Sequence, residues 1–181
     1  ACRSCHRVDD QKRMTRISYR RTAPEGWQQA VRRMVSLNDA VLDPDEAREV
    51  VKYLANNLGH APDEARIGAF EVERRMIEYK YAGDKDTEQT CTKCHSFGRV
   101  LLERRTKEEW DLLIAMHRWF YPLVDFQAFR RVGPPQREPG PDGRPPDNRH
   151  PYEKAVTHLS ATFPLRTPEW AAWSATMRPP R

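Results

Sequence analysis

The sequence predicts an all-α fold: two small helical lobes, an irregular Pro-rich segment near the C-terminus, and a short helical tail. Three observations predict it. Helix-start signals recur along the chain, each ahead of apolar residues at helical spacing. No strand-rich pattern interrupts them. Hydrophobic residues make up 38% of the 181 and charged residues 31%, against the roughly 45–50% apolar content of an ordinary globular chain. Each lobe is therefore short of core, and a large apolar cofactor would supply what is missing.

The elements follow in order. Thr22-Ala23-Pro24-Glu25 has the T-x-x-E form of a capping box and opens a helix to about Asn38. Asp43-Pro44-Asp45-Glu46 opens a second, with an acidic cap, proline at its first position and Gly59 as its stop. Val50, Val51, Leu54 and Leu58 share one face of it. Pro62-Asp63-Glu64 starts a third helix, expected to run to about Tyr81. A short helix is expected over Thr87–Cys94, and Thr106-Lys107-Glu108-Glu109 is a second capping box, starting a helix to about Phe120. Residues 132–150 hold Gly133-Pro134-Pro135, Pro139-Gly140-Pro141 and Pro145-Pro146 and read as a linker or insertion without a core. Short helices follow near Tyr152–Ser160 and Pro168–Met177. The expected division is a first lobe over 1–82, a second over 83–131, the linker over 132–150, and a tail over 151–181 packing on the lobes.

All 4 cysteines fall in two C-x-x-C pairs, and each pair is followed at once by a histidine. Cys2, Cys5 and His6 form one set; Cys91, Cys94 and His95 form the other. C-x-x-C-H is the attachment signature of haem c. Two thiols three positions apart reach the porphyrin vinyl groups as thioethers, and the adjacent imidazole ligates the iron as proximal ligand. Other chemistries fit less well. A four-cysteine zinc site separates its two knuckles by roughly 15–20 residues, far less than the distance from Cys5 to Cys91, and gives no reason for either histidine. A thioredoxin-like dithiol needs one pair beside a βαβ unit. Structural disulfides would not favour this spacing twice. The expectation is two covalently bound haem c groups, one in each cytochrome c-like lobe.

An internal repeat nominates the distal ligands. Arg20-Arg21-Thr22 precedes Trp27 and Met34 in the first lobe; Arg104-Arg105-Thr106 precedes Trp110 and His117 in the second. The residue seven after each tryptophan shares its helix face, and Met and His are the common distal ligands of haem c. His6 and Met34 are expected on the first iron, His95 and His117 on the second. A core methionine beside a core tryptophan is the competing account of Met34. Arg166-Thr167-Pro168-Glu169-Trp170 is likewise followed seven on by Met177, with no third haem motif. Met116 is the nearest rival to His117. His60 reads as a solvated turn residue, His150 and His158 as surface residues, while Met14 and Met76 have no repeat partner.

On these residues the chain resembles the di-haem cytochrome domain of the quinohemoprotein amine dehydrogenase large (alpha) subunit. The matching stretches are Arg16-Ile17-Ser18, the Arg-Thr-x-Pro-Glu-Gly-Trp segment, Arg33-Met34, Val51-Lys52-Tyr53-Leu54-Ala55 and Ala61-Pro62-x-Glu64. Cys91-x-x-Cys94-His95-Ser96, Arg104-Arg105, Glu109-Trp110, His117, Phe163-Pro164-Leu165 and Trp170-Ala171-Ala172-Trp173 complete them. The resemblance implies a helical di-haem module that takes electrons from a tryptophylquinone on a small separate subunit and passes them to a periplasmic acceptor. Met34 and His117 fall where it would place distal ligands. Three features depart from it: the segment 132–150 looks inserted, Ala1 alone precedes Cys2, and no quinone-forming residue is assignable.

The function expected is therefore electron transfer rather than catalysis. Two six-coordinate irons leave no open position for substrate; the alternative is a di-haem peroxidase or oxidase with one open site. Methionine ligation raises a haem potential relative to a second imidazole, so electrons are expected to run from the second haem to the first. Partners are expected to be redox proteins: a dehydrogenase subunit carrying a quinone upstream, and a cytochrome c or small copper protein downstream. Haem c attachment places the chain in the periplasm. No run of ~18 apolar residues spans a membrane. The net charge of +5 and pI of about 9.2 suit a basic docking face, since the arginines are scattered rather than striped with aromatics as nucleic-acid binding would need.

Overall fold

The computed structural model describes residues 2–68 and 81–177. It is mostly helical, but its centre is a short strand pair that the sequence reading lacks. Strand β1 (Arg20–Thr22) pairs antiparallel with β2 (Glu103–Arg105), setting Arg20 opposite Arg105, Arg21 opposite Arg104 and Thr22 opposite Glu103. Each strand leads through one residue into a helix of 14 residues: α1 (Pro24–Leu37) after β1, and α6 (Lys107–Phe120) after β2. The pairing is symmetric about Arg21 and Arg104, so a local two-fold axis relates the two strand–helix units. Residue n of the first unit corresponds to n + 83 of the second, which puts Trp27 in register with Trp110 and Met34 with His117. The doubled arginines match one position out of step, because lobe one has one residue more between its threonine and its tryptophan.

That extra residue moves the helix start. Thr22 lies in β1, where its hydroxyl donates to Leu102 O at 2.9 Å; the N-cap of α1 is Ala23, which offers no side-chain acceptor. In lobe two the expected cap holds, with Thr106 Oγ1 accepting from the Glu109 amide at 3.3 Å. Gly26 takes the place that Glu109 occupies in lobe two. A Cβ there would collide with the Thr22 side chain, so only glycine lets the first turn of α1 close on β1.

Around this centre stand α2 (Pro44–Leu58), capped by Asp43 through the Asp45 and Glu46 amides, α3 (Pro62–Arg66), α4 (Lys85–Cys91), α5 (Gly98–Leu101), α7 (Val124–Gln127), α8 (Pro151–Thr162) and α9 (Pro168–Met177). The third helix stops at Arg66, and most of its expected remainder lies outside the described residues. The second motif helix ends at Cys91, so Thr92, Lys93 and Cys94 form a turn after it. The segment 132–150 is exposed, yet its neck is pinned: Asn148 accepts from the Gln136 amide and donates to Gln136 O, at 2.9 and 2.8 Å. The main apolar cluster among the described residues joins Tyr81, Phe97, Val100, Leu101 and Trp110 with Val156, Leu159 and Phe163 from the tail, and Cys91 packs against it. Among the described residues around α1 and α2, the buried apolar side chains are Trp27, Val31, Leu54 and Ala61.

Candidate haem sites

Ordinarily a two-stranded ribbon at the centre of a fold would bury apolar side chains. This one buries arginines. Arg21 donates to both Glu64 oxygens at 2.7 and 2.8 Å, and to Gly59 O and Leu165 O. Glu64 also receives the Thr167 hydroxyl and the Ala61 amide and lies 3.5 Å from Arg104. Burial alone would raise its carboxyl, but hydrogen bonds from Arg21, Thr167 and the Ala61 amide, with His60 Nδ1 3.7 Å away, hold it far below the usual 4.5. Strands β1 and β2, which lead into α1 and α6, are thereby fixed to a charge-paired frame from which both candidate ligand helices project.

The second motif is the better defined. Cys91 ends α4 with its side chain against the core, where burial pushes the thiol up to about 12, while Cys94 is exposed in the turn. His95 follows, and its ring lies 6.4 Å from that of His117, centroid to centroid. Two imidazoles bound on opposite sides of one metal ion, with metal–nitrogen bonds of about 2 Å, would put their ring centroids roughly 6–6.5 Å apart. The tautomers agree with this. His95 Nδ1 donates to Ser96 O at 2.8 Å and His117 Nδ1 to Leu113 O at 2.7 Å, leaving Nε2 of each unprotonated for a metal. Burial lowers the His117 pKa, with nearby His95, Arg105 and Arg33 adding to it, so the imidazole is neutral. The Tyr121 ring stands 6.1 Å from His117, one turn on.

At the first motif, Cys2 to Ser4 form one 3-10 turn, Cys5 is exposed and His6 is half-buried. His6 Nδ1 donates to Thr15 O at 2.8 Å, the same orientation as the other two. The loop supplying that carbonyl is a tight excursion pinned by Asp9, which accepts from the Gln11 and Arg13 amides. Met34 is half-buried on α1. His6 and Met34 make no hydrogen bond with each other; what ties them is that position 34 is the two-fold mate of position 117.

The remaining histidines bond differently. His60, expected in solvent, has a side chain only 3% exposed, with Nε2 donating to Leu102 O at 2.9 Å. Its turn is roofed by β2, which local sequence does not reveal. His158 Nε2 is 2.8 Å from the Tyr81 hydroxyl, and His150 caps α8 with its ring against Tyr152. Met14 and Met116 are half-buried, and Met76 lies outside the described residues. Among the described residues no three His, Cys, Asp or Glu side chains gather as a metal cluster, and none of the four thiols is in a disulfide. The two knuckles do not converge as a zinc site requires.

Residues 1–133 match the family described as quinohemoprotein amine dehydrogenase A, alpha subunit, haem binding. The chain belongs to that family. The matched stretch takes in both C-x-x-C-H motifs, both strand–helix units and the Arg21–Glu64–Arg104 frame. No curated protein matches the chain. Haem binding and a helical scaffold are thus supported at the level of the family, and His6, His95 and His117 each tie Nδ1 to a carbonyl, which leaves Nε2 as the ring nitrogen a metal could take. No described helix is long and apolar enough to cross a membrane.

Proposed function

We propose that this chain is a di-haem c-type cytochrome, the electron-transfer part of a quinone-dependent, amine-dehydrogenase-like system. Cys2 and Cys5 hold the first porphyrin and Cys91 and Cys94 the second. His6 and Met34 would ligate one iron, and His95 and His117 the other. The observation that carries this reading is the 6.4 Å separation of the His95 and His117 rings, with each Nδ1 tied to a carbonyl. The haems supply one-electron couples, with the bis-imidazole site at the lower potential.

The protein's own part is to orient these ligands, exclude water from the Cys91 side through the Tyr81–Phe163 cluster, and hold both sites on one frame. In this reading the chain works in the periplasm, where haem c is attached, between a quinone-bearing donor subunit and a small cytochrome or copper-protein acceptor. A pyridine haemochrome count, combined with an electron paramagnetic resonance spectrum of the ferric protein, tests the reading. Two haems and two low-spin signals, one of them bis-imidazole, are expected. A single haem, or a dominant high-spin signal with rapid cyanide binding, would favour an open-site enzyme instead.

A further inference from the structure

A short hairpin follows the first motif. Val8 and Met14 bridge across it, the Asp9 amide donates to Arg13 O, and the Lys12 amide returns to Asp9 O. The Asp9 carboxylate accepts from the Gln11 and Arg13 amides at 2.9 and 2.8 Å and holds the turn in place. In that turn Lys12 stands at a φ of 60°, a left-handed conformation that favours glycine or asparagine and costs a lysine on the order of 1 kcal/mol. The hairpin is also tied to the candidate haem ligand. Thr15 O accepts from His6 Nδ1 at 2.8 Å, and Thr15 Oγ1 accepts from the Arg7 amide at 3.0 Å. Whatever binds the hairpin therefore lies against the first haem site.

Its charges are not matched within the chain. Arg13 is paired with Asp9 at 2.7 Å and lies over the Tyr19 ring, and Arg16 reaches Glu109 at 3.4 Å. Arg3, Arg7 and Lys12 are exposed, and among the described residues their side chains make no ion pair or hydrogen bond. Against these three cations stands one unpaired acid, Asp10. Val8, 41% exposed, adds an apolar spot beside them. The second motif is different: Lys85, Lys93 and Arg99 are balanced by Asp84, Asp86 and Glu88, with Lys85 on Glu88 at 3.0 Å. A fixed, unpaired patch of one sign is complemented by the opposite sign from outside. A protein suits it better than a lipid surface, which calls for roughly 4–8 clustered cations or an amphipathic helix.

We infer that an acidic electron-transfer protein docks on the hairpin of the first motif, its carboxylates meeting Arg3, Arg7 and Lys12. The inference rests on the haem reading above and deepens it, by naming the face and the charge of the soluble acceptor. One electron leaves the reduced chain there and reduces the ferric or cupric centre of the partner; no bond or proton moves. The contact is of the transient kind, in which charge steers the encounter and a small apolar area lets the complex part.

The test mixes the reduced holoprotein with oxidised plastocyanin, an acidic blue-copper protein, and follows the second-order rate by stopped flow. In the parent the rate should fall steeply between about 10 mM and 150 mM salt, as the screening length shrinks from roughly 30 Å to about 8 Å. Arg7→Gln combined with Lys12→Gln should lower the low-salt rate about tenfold and flatten its salt dependence. Arg99→Gln combined with Lys107→Gln removes the same charge from lobe two and should leave the rate within about twofold. A salt-independent parent rate, or equal losses in the two double variants, overturns the docking face. So does a hairpin variant that keeps its rate but loses binding to vesicles of anionic phospholipid, which would make the hairpin a lipid contact. A pyridine haemochrome count below two haems in the parent overturns the haem reading instead.

Discussion

Lobe one and lobe two share a plan and differ in what surrounds it. Each has a three-residue strand, a helix of 14 residues, a buried tryptophan at its fourth position and a candidate ligand seven further on. In lobe one the tryptophan is satisfied by α2 through Leu58 O, the helix lacks a side-chain cap, and glycine occupies its third position. In lobe two the tryptophan sits in the largest apolar cluster, its helix is capped by Thr106, and a buried glutamate replaces the glycine. The difference teaches that the repeat builds the scaffold while non-repeated partners, α2 on one side and α8 on the other, set the surroundings of each tryptophan.

The strongest way to break the comparison is to remove a ligand from each lobe. His117→Ala should abolish the bis-imidazole signal and leave a high-spin iron in lobe two alone, while Met34→Ala should alter only the other signal, both read by paramagnetic resonance. Should Met34→Ala leave both signals intact, the two-fold equivalence of positions 34 and 117 would not extend to ligation.

Next is the frame common to both lobes. Glu64→Gln removes the carboxylate that gathers Arg21, Arg104 and Thr167 and should cost about 3–5 kcal/mol, measured by denaturant midpoint. Its pH dependence has a definite sign. The folded-state pKa lies below the ordinary 4.5, so the stabilisation is present above that value and is lost as pH falls through it toward the folded value. The gap between Glu64→Gln and the parent protein should therefore narrow on acidification below about 4.5.

Glu109 should behave oppositely, which sharpens the contrast between the acids of the two lobes. Burial holds its carboxyl above the ordinary value, so its ionised form costs stability near neutrality. Glu109→Gln should be neutral or stabilising by up to about 1 kcal/mol there, an advantage that disappears as pH falls and the parent's Glu109 takes up its proton. The smallest effects lie at the caps. Thr106→Ala should cost about 1 kcal/mol, and Ala23→Ser should stabilise α1 by about half that, both seen as midpoint shifts in thermal melts.

Much of this was legible without coordinates. The helices at Asp43, Thr106 and Pro168 start where their cap residues stand, because capping is settled within four residues. The family, too, is recognisable from short motifs. The strand pair was not legible: Arg-Arg-Thr and Glu-Arg-Arg carry no apolar alternation, and their pairing joins residues some eighty positions apart. The cap at Thr22 was misplaced for the same reason, since a threonine drawn into a ribbon no longer faces its own helix.

Local chemistry in the sequence determined that this chain carries two C-x-x-C-H motifs on a helical, core-poor polypeptide, because attachment spacing and helix capping act over a few residues. Only the tertiary structure decided that the His95 and His117 rings come within 6.4 Å of each other, that the His60 side chain is buried, and that Arg105 Nε and Trp110 Nε1 have no acceptor. Those facts depend on which distant segments come to share a low-dielectric interior, where every charge and every hydrogen bond must find its partner.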